Sequence, residues 1–445
     1  MPRFLYYGGI ETFSAAYKPA AQGRGEPGRQ KGRIHPMRLL ICDRPRAEFE
    51  SPGVSALFDA AFCLEDVDDA PCPGVAGDRG ETADRLAASL DGAGELWIAS
   101  RSFCGQVSAP VMRALELARD GRHGSAHANK RALPERSLHV WLYGVDQNAY
   151  EEQGLARMLA ARLAPELGAN LAECRVVDRF DLRLFKQFGS LPHKGAGGAA
   201  HIPLSPAPPA PAGTARSIAL LDAGAPNDAA RALLDDFEDA LLAYDRLSSR
   251  ALDAAKITEP PRFERLSCHG AKGAADEAPD ADPVLDALAA CDTLVIGCPV
   301  QLGALPSRLV RTLQDWTAAP RLRDGMRVYA ICTTNECDPG QAHLSLEVLR
   351  LFCHDNNLVW GGGLCVAGAA AVAAFARTER MGRKRRGCSE AIDRLIGAVR
   401  AGLSIADAAR RFGSTDPLAP SNIINAPCAL PAWAYKLMCA RFTRA

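Results

Sequence analysis

No Cys-x-x-Cys pair occurs among the 15 cysteines of this 445-residue chain. Zinc and iron–sulfur centres gather soft ligands through short local spacings, so no metal site is expected. Cys332 and Cys337 come nearest to a cluster, with no histidine at a ligand-like offset beside them. An excess of charge of one sign is also missing: 52 Lys and Arg balance 52 Asp and Glu. A balanced chain has no general attraction for nucleic acid or an anionic membrane. No run reaches the roughly 18–20 apolar residues of a membrane span. The nearest, Leu364 to Ala376, reads as a strand end and then a helix. No apolar stretch precedes a cleavage site, and scattered cysteines read as reduced, buried apolar residues, which together point to the cytoplasm.

What is present is enough chain for two domains. Residues 1–36, crowded with Pro, Gly, Arg and Lys from residue 18 on, read as a disordered tail or the product of an upstream start. Met37 opens the first strand-like run, and residues 37–188 are expected to form domain 1. Residues 189–215 contain Gly-Ala-Gly-Gly and five prolines from Pro203 to Pro211, a composition that reads as a linker. Domain 2 is expected over 216–445, with a C-terminal helical extension.

Each half alternates short apolar strands with amphipathic helical stretches. The strands are Leu39–Cys42, Leu96–Ala99 and His139–Tyr143, then Ile218–Leu221, Thr293–Gly297 and Arg327–Cys332. Leu155, Leu159 and Leu163 recur at helical spacing, as do Leu233, Leu234, Phe237 and Leu241. This alternation predicts α/β domains with parallel sheets covered on both faces. A repeat links the halves. Leu96 to Gly105 aligns without a gap on Leu294 to Gly303, and the same offset of 198 pairs Gly105 with Gly303, Arg113 with Arg311 and Leu115 with Leu313. Two tandem doubly wound domains from one duplicated unit are therefore expected.

In such sheets ligands sit beyond the carboxyl ends of the strands, and free N–H groups at helix starts suit phosphate. Three loops of the second half lie there. Asp222 to Asp228 contains Gly224, Ala225, Pro226 and Asn227; it reads either as a phosphate cradle or as an ordinary turn capped by Asn227 or Asp228. Asp228 would repel an anion. The loop of Pro299, Val300, Gln301, Leu302 and Gly303 lets a flat ring approach backbone at Gly303. Thr333, Thr334 and Asn335 open an outer loop running to Gln341, with groups for a polar ring edge.

The stretch ACDTLVIGCPVQLGALPSRLVRTLQDW, the Gly-rich run Gly361 to Gly368 and the tail IINAPCALPAWAYKLMCARF resemble flavodoxin-like proteins of the NAD(P)H-dependent FMN reductase type. ELWIASRSFCGQVSAPVMRALELARD in the first half is similar to the same element. The resemblance implies two flavodoxin-like domains, FMN held by the three loops, NAD(P)H as co-substrate and a small-molecule or protein electron acceptor. It also implies hydride or electron transfer through the flavin N5 with no catalytic side chain, and allows a homodimer. The sequence departs from the pattern where it lacks the phosphate-loop serines, has Gln301 in place of the usual aromatic residue, and reads Thr334-Asn335-Glu336 in the outer loop. Asp43-Arg44-Pro45-Arg46 follows the first strand where a Gly/Ser-rich loop is usual. Two functions stay open: an FMN-dependent oxidoreductase, or a flavodoxin-like protein that has lost its cofactor and serves as a binding or scaffold module.

Other features have plain readings. Arg44, Arg46 and Arg101 are surface charges or phosphate grips. Cys104 reads as a buried thiol, and His123 and His127 as solvated. Leu403 to Ala409 resembles the start of a helix-turn-helix with no recognition helix after it. Trp433, Tyr435 and Leu437 are expected to dock on domain 2 or a second subunit.

Overall fold

The computed structural model describes residues 36–49, 57–63, 81–124, 136–146, 148–180, 217–225, 228–251, 261–268, 287–318, 322–412 and 422–442. The tail, the linker, Pro226, Asn227, His127 and the side chain of His123 lie outside what is described.

The first sheet runs β1 (Met37–Cys42), β2 (Ala60–Phe62), β3 (Ala93–Phe103), β4 (Gln106–Val107), β5 (Ser137–Tyr143) and β6 (Asn170–Val177). Its order is β2-β1-β3-β5-β6, all parallel, with β4 folded back antiparallel on the end of β3. The second sheet runs β7 (Ser217–Asp222), β8 (Arg262–Ser267), β9 (Thr293–Pro299), β10 (Arg327–Thr334), β11 (Val359–Ala367) and β12 (Ile423–Ala426). Its order is β8-β7-β9-β10-β11-β12, again parallel. Counted within each half, both sheets follow the 2-1-3-4-5 order of flavodoxin-like folds, with a sixth edge strand in the second. All six expected strands lie inside these elements. The C-terminal segment, expected to be helical, also supplies β12.

Among the described residues the longer helices are α1 (Glu81–Gly92), α2 (Ala109–Gly124), α3 (Tyr150–Glu166), α4 (Ala229–Ala251), α5 (Ser307–Ala318), α6 (His343–Asp355), α7 (Ala369–Phe375), α8 (Arg386–Ala401), α9 (Ile405–Phe412) and α10 (Ala432–Phe442), with short turns of helix at Arg46–Phe49 and Pro339–Ala342. Period-2 burial divides the second sheet's side chains between two layers. Ile218, Leu220, Val295, Tyr329, Ile331 and Leu364 face α4, α8 and α9. Leu221, Leu294, Ile296, Val328 and Ala330 face the opposite way, into one continuous core shared with Leu39, Ile41, Leu96, Ile98 and Val140 of the first sheet.

That shared core is built from corresponding helices. Helix α2 packs on α5 and α3 on α6. α2 and α5 begin at positions 109 and 307, the offset of the sequence repeat. Polar contacts lock the seam: Glu116 accepts from the Ser307 amide at 2.9 Å and from its hydroxyl at 2.6 Å, and Gln106 Oε1 accepts from the Leu305 amide at 3.2 Å.

The repeat extends to backbone detail. Phe103 pairs antiparallel with Gln106, and Gln301 with Ala304. Between them, Cys104 and Gly105 have φ of 49° and 84°, and Leu302 and Gly303 have 52° and 75°. Two consecutive left-handed residues make a tight turn that suits the strand twist.

Candidate functional site

Strand order reverses beside β7 in the second sheet and beside β1 in the first, so these are the crevices where a ligand is sought. In the second half, the three expected loops leave the ends of adjacent strands β7, β9 and β10. Backbone bonds tie them together: Ala223 N–H donates to Gly297 O at 2.9 Å and Val300 N–H to Thr333 O at 2.7 Å. Of the expected cradle residues, Gly224 and Ala225 are placed in the turn after β7.

The turn is filled by the chain itself. Burial raises the pKa of the Asp228 carboxylate above the ordinary carboxylate value, and the backbone N–H groups of Ala229, Ala230 and Ala225 oppose that rise. A Cβ at Gly224 would lie 2.9 Å from Asp228 Oδ2, so the carboxylate is folded directly against that glycine. Asp222 Oδ1 accepts from the Gly224 amide at 2.9 Å. An acidic side chain thus occupies the positive start of α4, the place a phosphate would take.

The first half also holds a carboxylate at the exit of its first strand. After β1, Asp43 accepts from the Arg101 amide at 2.8 Å, the Tyr143 hydroxyl at 2.5 Å and the Ser100 hydroxyl at 3.3 Å. Tyr143 is held far above its usual pKa, first by burial and then by Asp43. Arg44 turns away to Glu48, at 2.7 Å. The guanidinium of Arg44 also lies over the rings of Tyr143 and Phe180, at 5.9 and 5.5 Å.

Around the expected ring loop, Leu302 is buried and Gln301 half-buried. The face of Gly303 is covered from the first half: a Cβ there would meet Arg162 Cβ at 3.3 Å. Arg162 Nη1 in turn donates to Gln341 O at 2.8 Å and to Gln341 Oε1 at 3.1 Å. In the outer loop, the Thr334 hydroxyl accepts from the Glu336 amide at 3.2 Å, and Asn335 is exposed. Thr333 Oγ1 is buried and finds no hydrogen-bond partner among the described residues.

Cys104 is mostly enclosed, with its pKa raised far upward by burial and then by Asp355 and Glu152, which disfavours a reactive thiolate. Of the C-terminal trio, Tyr435 is buried in the chain, and Trp433 and Leu437 are exposed on it. The Leu403–Ala409 segment forms α9, whose Ile405 and Ala408 pack into the outer core of the second half. Asp43 and Arg162 were not among the site residues read from sequence. Asp43 could have been noticed as a carboxylate at a strand exit, but no local pattern marks Arg162, which acts across a sequence distance of 179 residues.

No protein-family profile and no curated protein matches the chain. Solved structures similar to it include the flavodoxin, WrbA-like protein from Agrobacterium tumefaciens, 9% identical over 33% of this chain and 76% of that one, with a TM-score of 0.23. The Trp repressor binding protein from Bacillus subtilis is 13% identical over 36% and 99%, with a TM-score of 0.23. NAD(P)H:quinone oxidoreductase from Methanothermobacter marburgensis is 9% identical over 42% and 96%, with a TM-score of 0.26. These scores carry no argument about function; the flavodoxin-like assignment stands on the strand order of the two sheets. Among the described residues no helix is long and apolar enough to cross a membrane, and no three His, Cys, Asp or Glu side chains are grouped to hold a metal.

Proposed function

We propose that the chain is a flavodoxin-like protein that has given up phosphate-anchored FMN and serves as a binding module, its two halves arising by duplication and packed as a covalent pseudo-dimer. The observation behind this reading is Asp228. Its carboxylate sits against Gly224 at the start of α4, and a phosphate brought there would face a charge of its own sign. Asp43 plays the corresponding part in the first half.

A second reading, an FMN-dependent NAD(P)H oxidoreductase, is favoured by one observation: the buried hydroxyl of Thr333, at the carboxyl end of β10, has no hydrogen-bond partner among the described residues. A flavin ring edge would satisfy it. Arg162 would then have to swing away from Gly303.

Absorbance separates the two. Protein purified, incubated with excess FMN and desalted is expected to retain no flavin absorbance. A retained flavin spectrum with NADH or NADPH bleaching it would establish the oxidoreductase instead.

A further inference from the structure

Away from the three loops, the second half has a cavity of 110 Å³ at the carboxyl edge of β11 and β12. Its apolar wall includes Leu233 of α4, Val366 of β11, and Val372 and Phe375 of α7. Its rim carries Arg383, Lys384 and Arg385, three consecutive cations entering α8. The first-turn residues Gly387 and Cys388 also line it. A Cβ at Gly387 would meet nothing within 4 Å, so backbone there is open to approach.

The three cations are not equivalent. Arg385 is occupied: Nη1 donates to Ala376 O at 2.8 Å and Thr378 O at 2.9 Å, and Nη2 pairs with Asp236 at 3.1 Å. Asp236 is further neutralised by Arg380 at 3.0 Å, and Asp393 also pairs with Arg380. Those local carboxylates are already engaged. Arg383 and Lys384 have no carboxylate partner among the described residues; Lys384 Nζ lies 4.7 Å from the Phe375 ring centroid. Two unneutralised cations at the mouth of an apolar hollow define a ligand with a negative head and a hydrocarbon body. The hollow is somewhat smaller than the cavity of roughly 150 Å³ that accepts benzene, so the body is compact.

We infer that this cavity binds a small monocarboxylate with a short branched apolar body, its carboxylate held by Arg383 and Lys384 and its hydrocarbon seated on Leu233, Val366, Val372 and Phe375. The site lies outside the loops considered for FMN, so the inference goes beyond the proposed function and holds whichever reading of those loops is right.

Calorimetric titration of the full chain with isovalerate tests it, with isovaleramide as the uncharged isostere. Isovalerate is expected to bind saturably at one site, and the amide roughly tenfold or more weaker, because charge-assisted hydrogen bonds are lost. Replacing both cations (R383A with K384A) should weaken isovalerate by a similar factor. Filling the hollow with Ala232→Leu, a substitution that keeps a good helix former in α4, should abolish binding. Excess FMN should leave every value unchanged. Circular dichroism melts of the variants, matching the parent, keep the comparison interpretable. Absence of saturable isovalerate binding, equal binding of the amide, competition by FMN, or indifference to the substitutions in variants that melt like the parent would overturn the inference.

Discussion

The turns at Cys104–Gly105 and Leu302–Gly303 share a backbone and differ in what presses on them. Gly105 is walled in by backbone: an added Cβ would lie 2.9 Å from Glu152 O and 3.2 Å from Ala156 N of α3. Gly303 faces only the side chain of Arg162, at 3.3 Å and beyond. The contacts at Gly105 are closer than any real Cβ tolerates, whereas Arg162 Cβ, the nearest atom to Gly303, stands a few tenths of an ångström further off. One copy of the repeated unit is therefore sealed by its own half. The other is covered less tightly, by a residue reaching over from the first half. The two turns share a backbone conformation, and packing across the seam decides which keeps room for change.

The largest expected effect tests the sealed copy. Gly105→Ala combines left-handed strain with a clash against fixed backbone, and should cost about 3 kcal/mol or more in denaturant unfolding. A cost below about 1 kcal/mol would mean α3 is not rigid there.

The seam between the halves comes next. Glu116→Ala strands the buried Ser307 amide and hydroxyl and should cost about 2–3 kcal/mol. Glu116→Gln keeps an acceptor for the amide and should be tolerated. The Glu116 pKa is raised by burial, with the Ser307 hydrogen bonds opposing. The folded state therefore holds the proton more tightly than the unfolded state, whose value lies near 4.5. Stability must fall as pH rises from that value through the folded pKa. The Gln variant should lack this decline; an identical pH profile in both proteins would place the titration elsewhere.

The smallest effect tests the covered copy. Gly303→Ala should cost about 1 kcal/mol, mainly backbone strain. A cost equal to that of Gly105→Ala would erase the distinction between the two turns.

Most of the frame was legible in sequence because it rests on local signals. Continuous apolar runs marked six strands, and the spacing of Leu155, Leu159 and Leu163 marked α3. The constant offset of 198 anticipated the corresponding strand, loop and helix; the paired positive φ values emerged from the structure. Strands β2 and β8 carried weaker signals. β2 has three residues, and in β8 only Leu266 is fully buried, so neither gives a clear apolar run. β12 is a four-residue edge strand inside a segment that otherwise reads as helical. At the candidate site, the identity of the three loops was readable, and so was the hazard of an acidic residue at Asp228. The closing of Gly303 by Arg162 was not, because it depends on how α3 of one half meets a loop of the other. The Asp43–Tyr143 bond likewise joins residues 100 apart in sequence.

The central claim is that the chain's own carboxylate takes the phosphate place at the start of α4. Fluorescence titration of FMN with the parent protein and with Asp228→Ser, which keeps a helix-capping oxygen without the charge, tests it directly. The account predicts no saturable quenching by the parent and the appearance of quenching, or a clear tightening, in the variant. Tight saturable quenching by the parent that the substitution leaves unchanged would contradict it.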